Sequence, residues 1–411
     1  MSDKPFDIVI FGATSFVGKI VCHYLNEELQ DKTLHWAMAG RSKARLNQVK
    51  LSLGKPHHAI NSIVADASDE EALRRMVRKT RVVVSTVGPY ALYGETLVKV
   101  CAEEGTDYCD LTGEPQWIRR MIDRYQSTAQ GSGARIVHCC GFDSIPSDLG
   151  VYFLQQVAKK QFGSPCQQVK MRVKGLKGSA SGGTIASMVN LFKEASGDKH
   201  LREEIKDPYS LCPPTPEARP TQHSVKVEYD ADFDSWAAPF VMAVINTRVV
   251  LRSNALLNPP YHRHFLYDEA LLTGGEPEGK KRARKTALGL ALIPIVMTVP
   301  PLRWLALKFL PEPGEGPPPE EQRNGYFDLR FHGTTEQGQS LLVRVTGDRD
   351  PGYGSTAKML AQAGICLALD IPREKLPGGF WTPATALGRK LIRRLIDHAG
   401  MQFQLLKNGK S

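Results

Sequence analysis

The sequence has eight cysteines but no Cys-x-x-Cys pair among them. That spacing would mark a thioredoxin-like redox centre or a zinc site, so neither is expected and no metal is assigned. The thiols read as reduced, mostly buried small residues, the adjacent Cys139 and Cys140 included. No zinc-finger spacing and no aromatic RNA-binding signature accompany the net charge of +10. Their absence argues against nucleic acid and leaves an anionic cofactor or a membrane surface to explain the excess of base. There is no internal repeat. Residues 1–7 are polar and run straight into a strand, so no secretory leader is expected. A bilayer span needs about 20 apolar residues in helical form. The nearest approach, residues 286–302, is free of charge but interrupted by Pro294, Pro300 and Pro301, so a full span is not expected either.

What the chain does have is length and rhythm. Its 411 residues exceed one ordinary core, and two domains are expected. Hydrophobic residues make up 42% and charged residues 23%, a globular balance that argues against wholesale disorder. The first third alternates. Strands are expected at 6–11, 34–39, 62–64, 81–87, 107–110 and 135–139, and helices at 18–29, 43–53, 69–79, 96–104 and 118–132. Three consecutive valines at 82–84 suit a strand buried on both faces. Alternation of this kind predicts an α/β fold, a Rossmann-type doubly wound parallel sheet over residues 1–145. The rhythm then changes. Runs at 169–173, 225–229, 241–251, 326–332 and 340–346 read as strands, the last two as an antiparallel hairpin, and an α+β domain is expected over 146–350. Pro-rich stretches at 207–223 and 311–323 read as a surface loop and a linker. Residues 351–411 read as a helical section packing on the first domain.

The end of the first strand, VIFGATSFVGKIV at 9–21, breaks into glycine, hydroxyls and glycine before a helical pattern. Gly12 permits a sharp turn and the close approach of a pyrophosphate, and Gly18 permits tight helix–strand contact. Free N–H groups and the helix dipole favour an anion at a helix N-terminus. Gly12, Thr14, Ser15, Phe16, Val17 and Gly18 are therefore assigned to a dinucleotide phosphate. Ser15 replaces the middle glycine of the usual three, and its hydroxyl can donate to phosphate. An ordinary strand–turn–helix would look similar, so the second strand decides. It ends AMAGRSKARL, without the acid that binds the ribose 2′-hydroxyl in NAD-selective folds. Arg41, Ser42 and Lys43 stand there instead, and the planar fork of arginine suits a 2′-phosphate. NADP(H) is the expected cofactor. Asp66 is placed at the adenine edge, and Val87, Gly88, Pro89 and Tyr90 beside the nicotinamide ribose.

With these residues, the stretches VGPYALYGETLVKVCAEEGTDYCDLTGE, GFDSIPSDLG, GDRDPGYGSTAKMLAQAGICLALD and GGFWTPATALGRKLI make the chain resemble the saccharopine dehydrogenase-like oxidoreductases. Within them it resembles the trans-acting enoyl reductase branch, over nearly its whole length. Ser15 departs from the glycine often found there. The resemblance implies NADP(H) on a Rossmann domain and reduction of a carbon–carbon double bond in a long-chain lipid or polyketide intermediate. A saccharopine-type imine dehydrogenase is the alternative enzyme. It would need an anion site for more than one carboxylate, and Arg172, Arg248 and Arg252 form no evident cluster. A lipid-surface scaffold that binds NADP without turnover is a third reading.

Enoyl reduction needs a hydride at the β-carbon and a proton at the α-carbon. Tyr90 and Tyr93 can donate hydrogen bonds, and Asp143, after the last strand of the first domain, can face the nicotinamide. These three are the catalytic candidates, and none identifies itself as the proton donor. Ser144 and Asp148 read as helix caps, and residues 179–188 as a small-residue turn near the cofactor. Five of the six residues 280–285 are basic and precede the apolar segment 286–310. Residues 280–310 therefore point to a membrane or lipid surface, with a buried channel wall or a homodimer interface as alternatives. The expected setting is cytoplasmic and peripheral to a membrane, with a lipid-like acyl substrate and no nucleic acid.

Overall fold

The computed structural model describes residues 4–28, 33–54, 60–178, 182–308 and 316–406. Among them, seven strands form the first sheet. They are β1 (Phe6–Phe11), β2 (Trp36–Gly40), β3 (Asn61–Val64), β4 (Thr80–Ser85), β5 (Asp107–Asp110), β6 (Arg135–Val137) and, from far along the chain, β13 (Gly379–Trp381). Their order is β13-β6-β5-β4-β1-β2-β3, and every pairing is parallel. Strand order reverses between β1 and β4, which opens a crevice at their carboxyl ends. Ile8, Ile10, Val82 and Val84 pack into one helical layer and Val9, Phe11 and Val83 into the other, which accounts for the unbroken apolar runs of β1 and β4. The first layer includes the helix Thr356–Leu369. Its Gly364 lies so close to β4 that a Cβ there would stand 2.4 Å from Val84 Cγ2.

The second sheet comprises β7 (Cys166–Lys177), β8 (Glu228–Asp230), β9 (Ser235–Pro239), β10 (Leu266–Gly274), β11 (Tyr326–Thr335), β12 (Ser340–Gly347) and β14 (Gln402–Leu406). Its order is β14-β12-β11-β7-β10-β9-β8. The β7–β10 pair is parallel and the others antiparallel. The helix Ile145–Phe162 crosses β7, β11, β12 and β14. Two consecutive helices, Pro277–Thr298 and Pro300–Leu307, bend by 114° at the break between them. Among the described residues no single helix is long and apolar enough to cross a membrane.

Several expectations change. Residues 241–251 lie mostly in a helix, Ala243–Leu256, rather than a strand. Ile245, Arg248, Val249 and Arg252 recur at helical spacing and share a buried face, and that burial outweighs the β-branched composition. The strand read at 225–229 shrinks to β8, and β10 has no counterpart in the sequence reading. Residues 351–411 are not purely helical: they give β13 to the first sheet and β14 to the second. The Pro-rich stretch at 207–223 is not only surface, since Leu211 and Cys212 are buried and Arg252 donates to the Leu211 carbonyl. Residues 179–181 of the small-residue turn and 311–315 of the linker lie outside the described residues. All eight cysteines are free and buried.

Candidate functional site

At the end of β1 the chain turns through Gly12 at φ +87°, a left-handed conformation that favours glycine. A Cβ there would stand 2.7 Å from both Thr86 Oγ1 and Val87 Cγ2. A Cβ on Gly18 would lie 2.1 Å from the Gly12 carbonyl oxygen, so the helix Phe16–His23 packs backbone to backbone on the turn. Ser15 is its N-cap. Ser15 Oγ accepts from Gly18 N at 2.9 Å and meets Thr86 Oγ1 at 2.9 Å, while Thr86 donates to Gly12 O at 3.0 Å. With the Thr86 proton so placed, the Ser15 proton goes to Thr86. This corrects the expected donation to phosphate: the hydroxyl braces the turn, and the N–H groups of the first helical turn are what face an anion.

Thr14 lies beside Gly40 at the end of β2. Arg41 and Lys43 beyond it are exposed and can reach a 2′-phosphate. Ser42 Oγ accepts from Arg45 N at 3.3 Å and caps the helix Lys43–Ser52, which leaves its proton for a phosphate oxygen. Asp66 closes a turn with one oxygen: its Oδ1 accepts from Ser68 N at 2.9 Å and Ser68 Oγ at 2.7 Å, and Oδ2 points to no partner among these bonds. Those hydrogen bonds, with Arg41 nearby, hold its carboxyl below the usual carboxylate range. The turn fits a dinucleotide: it can form only because Gly12 lacks a Cβ, it lies at the topological switch point, and Arg41 and Lys43 stand exposed at the end of β2, where a 2′-phosphate would lie.

Between this turn and the second domain lies a cavity of about 530 Å³. Its near wall includes Ser15, Phe16, Val17, Thr86, Gly88 and Tyr90. Its far wall is apolar, with Met188, Leu191, Phe240, Ile245, Leu290 and Ile293 from β9's end and three helices. The lining residues include no lysine or arginine, and the ionisable carboxyls among them are Asp143 and Glu114. Asp143 enters beside Gly113, where a Cβ would stand 3.0 Å from Oδ2. Burial alone pushes its carboxyl up to about 7. Glu114 is buried too, which raises its pKa, but it is fully engaged. It accepts from Tyr90 N at 2.8 Å, Ala91 N at 2.9 Å and Ser187 Oγ at 2.7 Å. One carboxylate thus ties the loop after β4 to the helix Gly182–Gly197 of the second domain.

Two of the three catalytic candidates change role. Tyr90 lines the cavity with its ring, but its hydroxyl donates to Ser85 O at 3.0 Å and receives Leu111 N at 3.4 Å. Tyr93 is 52% exposed and lies outside the cavity lining. Of the three, only Asp143 brings an uncommitted polar group to the crevice. Asp148 is not a cap: Ser253 Oγ donates to it at 2.5 Å and Ala384 N at 2.7 Å, and burial pushes it up to about 7. It links the second domain to the C-terminal section.

Sequence reasoning also passed over the support beneath the crevice. Asp110 accepts from Tyr108 Oη at 3.0 Å, Thr112 N at 3.1 Å and Cys139 N at 3.2 Å, and meets His138 Nδ1 at 2.8 Å. This carboxylate fixes the loops after β5 and β6 together, and the second loop carries Asp143. The signal for Glu114 was an acid directly before a proline-led helix, Pro115–Ser132. Asp110 had no signal beyond its place at a strand end.

The saccharopine dehydrogenase NADP binding domain family matches residues 8–137, the span from β1 to β6. A Mycobacterium tuberculosis protein named as a candidate trans-acting enoyl reductase is 39% identical over a 423-residue alignment, covering 98% of this chain and 97% of its own. The trans-acting enoyl reductase of Mycobacterium bovis is 36% identical and covers 96% of each chain. Among solved structures, the apo saccharopine dehydrogenase (L-Glu forming) of Saccharomyces cerevisiae aligns over 98% of this chain and 100% of its own. Its TM-score is 0.54 at 14% identity, a likeness of fold alone. A turn shaped for a dinucleotide, cations at the end of β2 and full-length relatives agree: the chain is an NADP-dependent oxidoreductase and belongs to the saccharopine dehydrogenase-like family, in its trans-acting enoyl reductase branch.

Proposed function

We propose that this oxidoreductase reduces a carbon–carbon double bond conjugated to a carbonyl, on an apolar acyl chain of the kind found in lipid or polyketide intermediates. The observation that carries the reading is the cavity, whose far wall is apolar and whose uncommitted carboxyl, Asp143, is raised to about 7 beside Gly113 in the same lining as the nucleotide turn. The names of the mycobacterial relatives support it. When bound along Gly12–Gly18, NADPH supplies the hydride that bonds to the β-carbon. The displaced π pair takes the Asp143 proton at the α-carbon, leaving a carboxylate that solvent reprotonates. Because its pKa is raised to about 7, Asp143 is still substantially protonated at neutral pH and loses the proton as pH rises through that value. Glu114 acts as a positioning residue, holding Tyr90, Ala91 and Ser187 around the reacting carbon. Apolar walls exclude water and hold the chain.

An imine dehydrogenase acting on amino acids would have to neutralise more than one carboxylate. Arg172 is bound to Asp230 and Asp268, and Arg248 and Arg252 are bound to carbonyls, all outside the cavity lining. NADPH oxidation against enoyl thioesters of graded length tests the choice, with an amino acid plus oxo acid pair as comparison. Each buried CH₂ contributes about 0.8 kcal/mol, so apparent affinity rises about fourfold per methylene until the cavity is full. Turnover of the imine-forming pair with none of any enoyl compound overturns the proposal.

A further inference from the structure

The helix Pro277–Thr298 has two faces of different character. Gly279, Ala283 and Met297 are buried, and Leu290 and Ile293, on the same side, line the cavity. Gly279 sits so close to β10 that a Cβ would stand 2.1 Å from Gly274 O, which fixes this side inward. The opposite side repeats at three and four residues: Lys281, Arg284, Lys285, Leu288, Leu292 and Ile295. All six are exposed, Leu288 at 63%. The outward face is therefore basic in its first half and apolar in its second. The following helix, turned by 114° at the break, adds exposed Leu302, Leu305 and Trp304, the last 63% exposed with Lys308 Nζ 3.6 Å above its ring.

We infer that this outward face docks on an anionic membrane surface, with the apolar half and Trp304 entering the headgroup boundary and the cations resting on the phosphates. Basic residues flanking an apolar stripe, with an interfacial tryptophan, match the charge and polarity of that boundary. A second copy of the chain fits the same face poorly. A twofold contact would press Lys281, Arg284 and Lys285 onto their own copies or onto the partner's apolar half, and the one acid paired with this face, Glu278 on Lys281 at 3.2 Å, leaves the cations in excess. Docking also sets the cavity wall, one helix thick, against the bilayer. The inference does not depend on the enoyl reading, since it rests on which residues face outward.

Flotation of the full chain with vesicles of phosphatidylcholine mixed with phosphatidylglycerol tests it, with NADPH affinity as the check that each variant is folded. The wild type should float at low salt, bind weakly to phosphatidylcholine alone, and be released by high salt. The triple reversal K281E, R284E and K285E should lower partition by roughly a hundredfold or more. Replacing Leu288, Leu292, Ile295 and Trp304 by serine should abolish flotation while NADPH affinity stays unchanged. Trp304 emission should shift to shorter wavelength on anionic vesicles, a change absent in Trp304→Phe. No flotation of the wild type at low salt, or equal partition of all variants, overturns the inference. So does a serine variant that turns a solution dimer into a monomer while no form of the protein binds vesicles, which would assign the face to a second copy.

Discussion

The two ends of the cavity are built by opposite rules. At the nucleotide end, backbone does the work: Gly12 and Gly18 leave no room for a Cβ, and Ser15 and Thr86 brace the turn through their hydroxyls. At the far end, side chains do the work. Apolar residues from β9's end and three separate helices meet around space that no single segment defines. A rigid backbone cradle suits a ligand that never varies. A wall of independent side chains can change its depth and shape by substitution without disturbing the cradle. Asp143 lines the same cavity, beside Gly113.

The comparison can be broken in graded steps. Gly12→Val should remove measurable NADPH binding in calorimetry while circular dichroism still shows a folded protein, because the branched side chain meets Thr86 and Val87 and resists the positive φ. Retained affinity would put the cofactor elsewhere. Asp143→Asn should lower kcat by roughly a hundred- to ten-thousandfold with NADPH affinity unchanged. The wild-type rate should fall as pH rises through about 7, and that descending limb should vanish in the variant; a limb that persists assigns the proton to another group. Arg41→Ala should weaken NADPH by roughly ten- to a hundredfold through loss of a charge-assisted contact and leave NADH nearly unchanged. Equal loss for both would place the arginine away from the 2′-phosphate. The smallest change is expected of Tyr90→Phe. It should lower stability by about 1 kcal/mol, read from the denaturant midpoint, because the bond to Ser85 O is lost. Its kcat should hold, and a large kcat loss would return the hydroxyl to the chemistry.

How much of this the sequence discloses differs along the same line. The nucleotide turn is legible because its signals are contiguous: a strand end, two glycines six residues apart, and a basic cluster where an acid would otherwise stand. Asp143 is legible by its position after the last parallel strand. Glu114 is not, because its role depends on reaching Ser187, 73 residues away. The far wall is not, because Ile245, Leu290 and Ile293 carry the same helical spacing as any core residue. The helix at Ala243–Leu256 reads as a strand for a related reason. Its valines and isoleucine suggest extended backbone, and only the burial of Arg248 and Arg252, whose heads reach carbonyls on other segments, fixes it as helical.

The placement of β13 and of the helix Thr356–Leu369 has a consequence for how the chain is made. Synthesis proceeds from the N-terminus, and domains generally fold as they emerge. Here β1, β4 and β5 emerge early, but the helix that covers one of their faces lies more than two hundred residues later. Arg135, at the start of β6, donates to the carbonyls of Leu367 and Ile371, so even the edge of the early sheet waits for late partners. Until the ribosome reaches them, Ile8, Ile10, Val82 and Val84 present an apolar face that the early helices, through Val21, Cys22 and Leu46, cover only in part. The half of the molecule that is written first is completed last, and in that interval a nascent chain is a natural client for a chaperone.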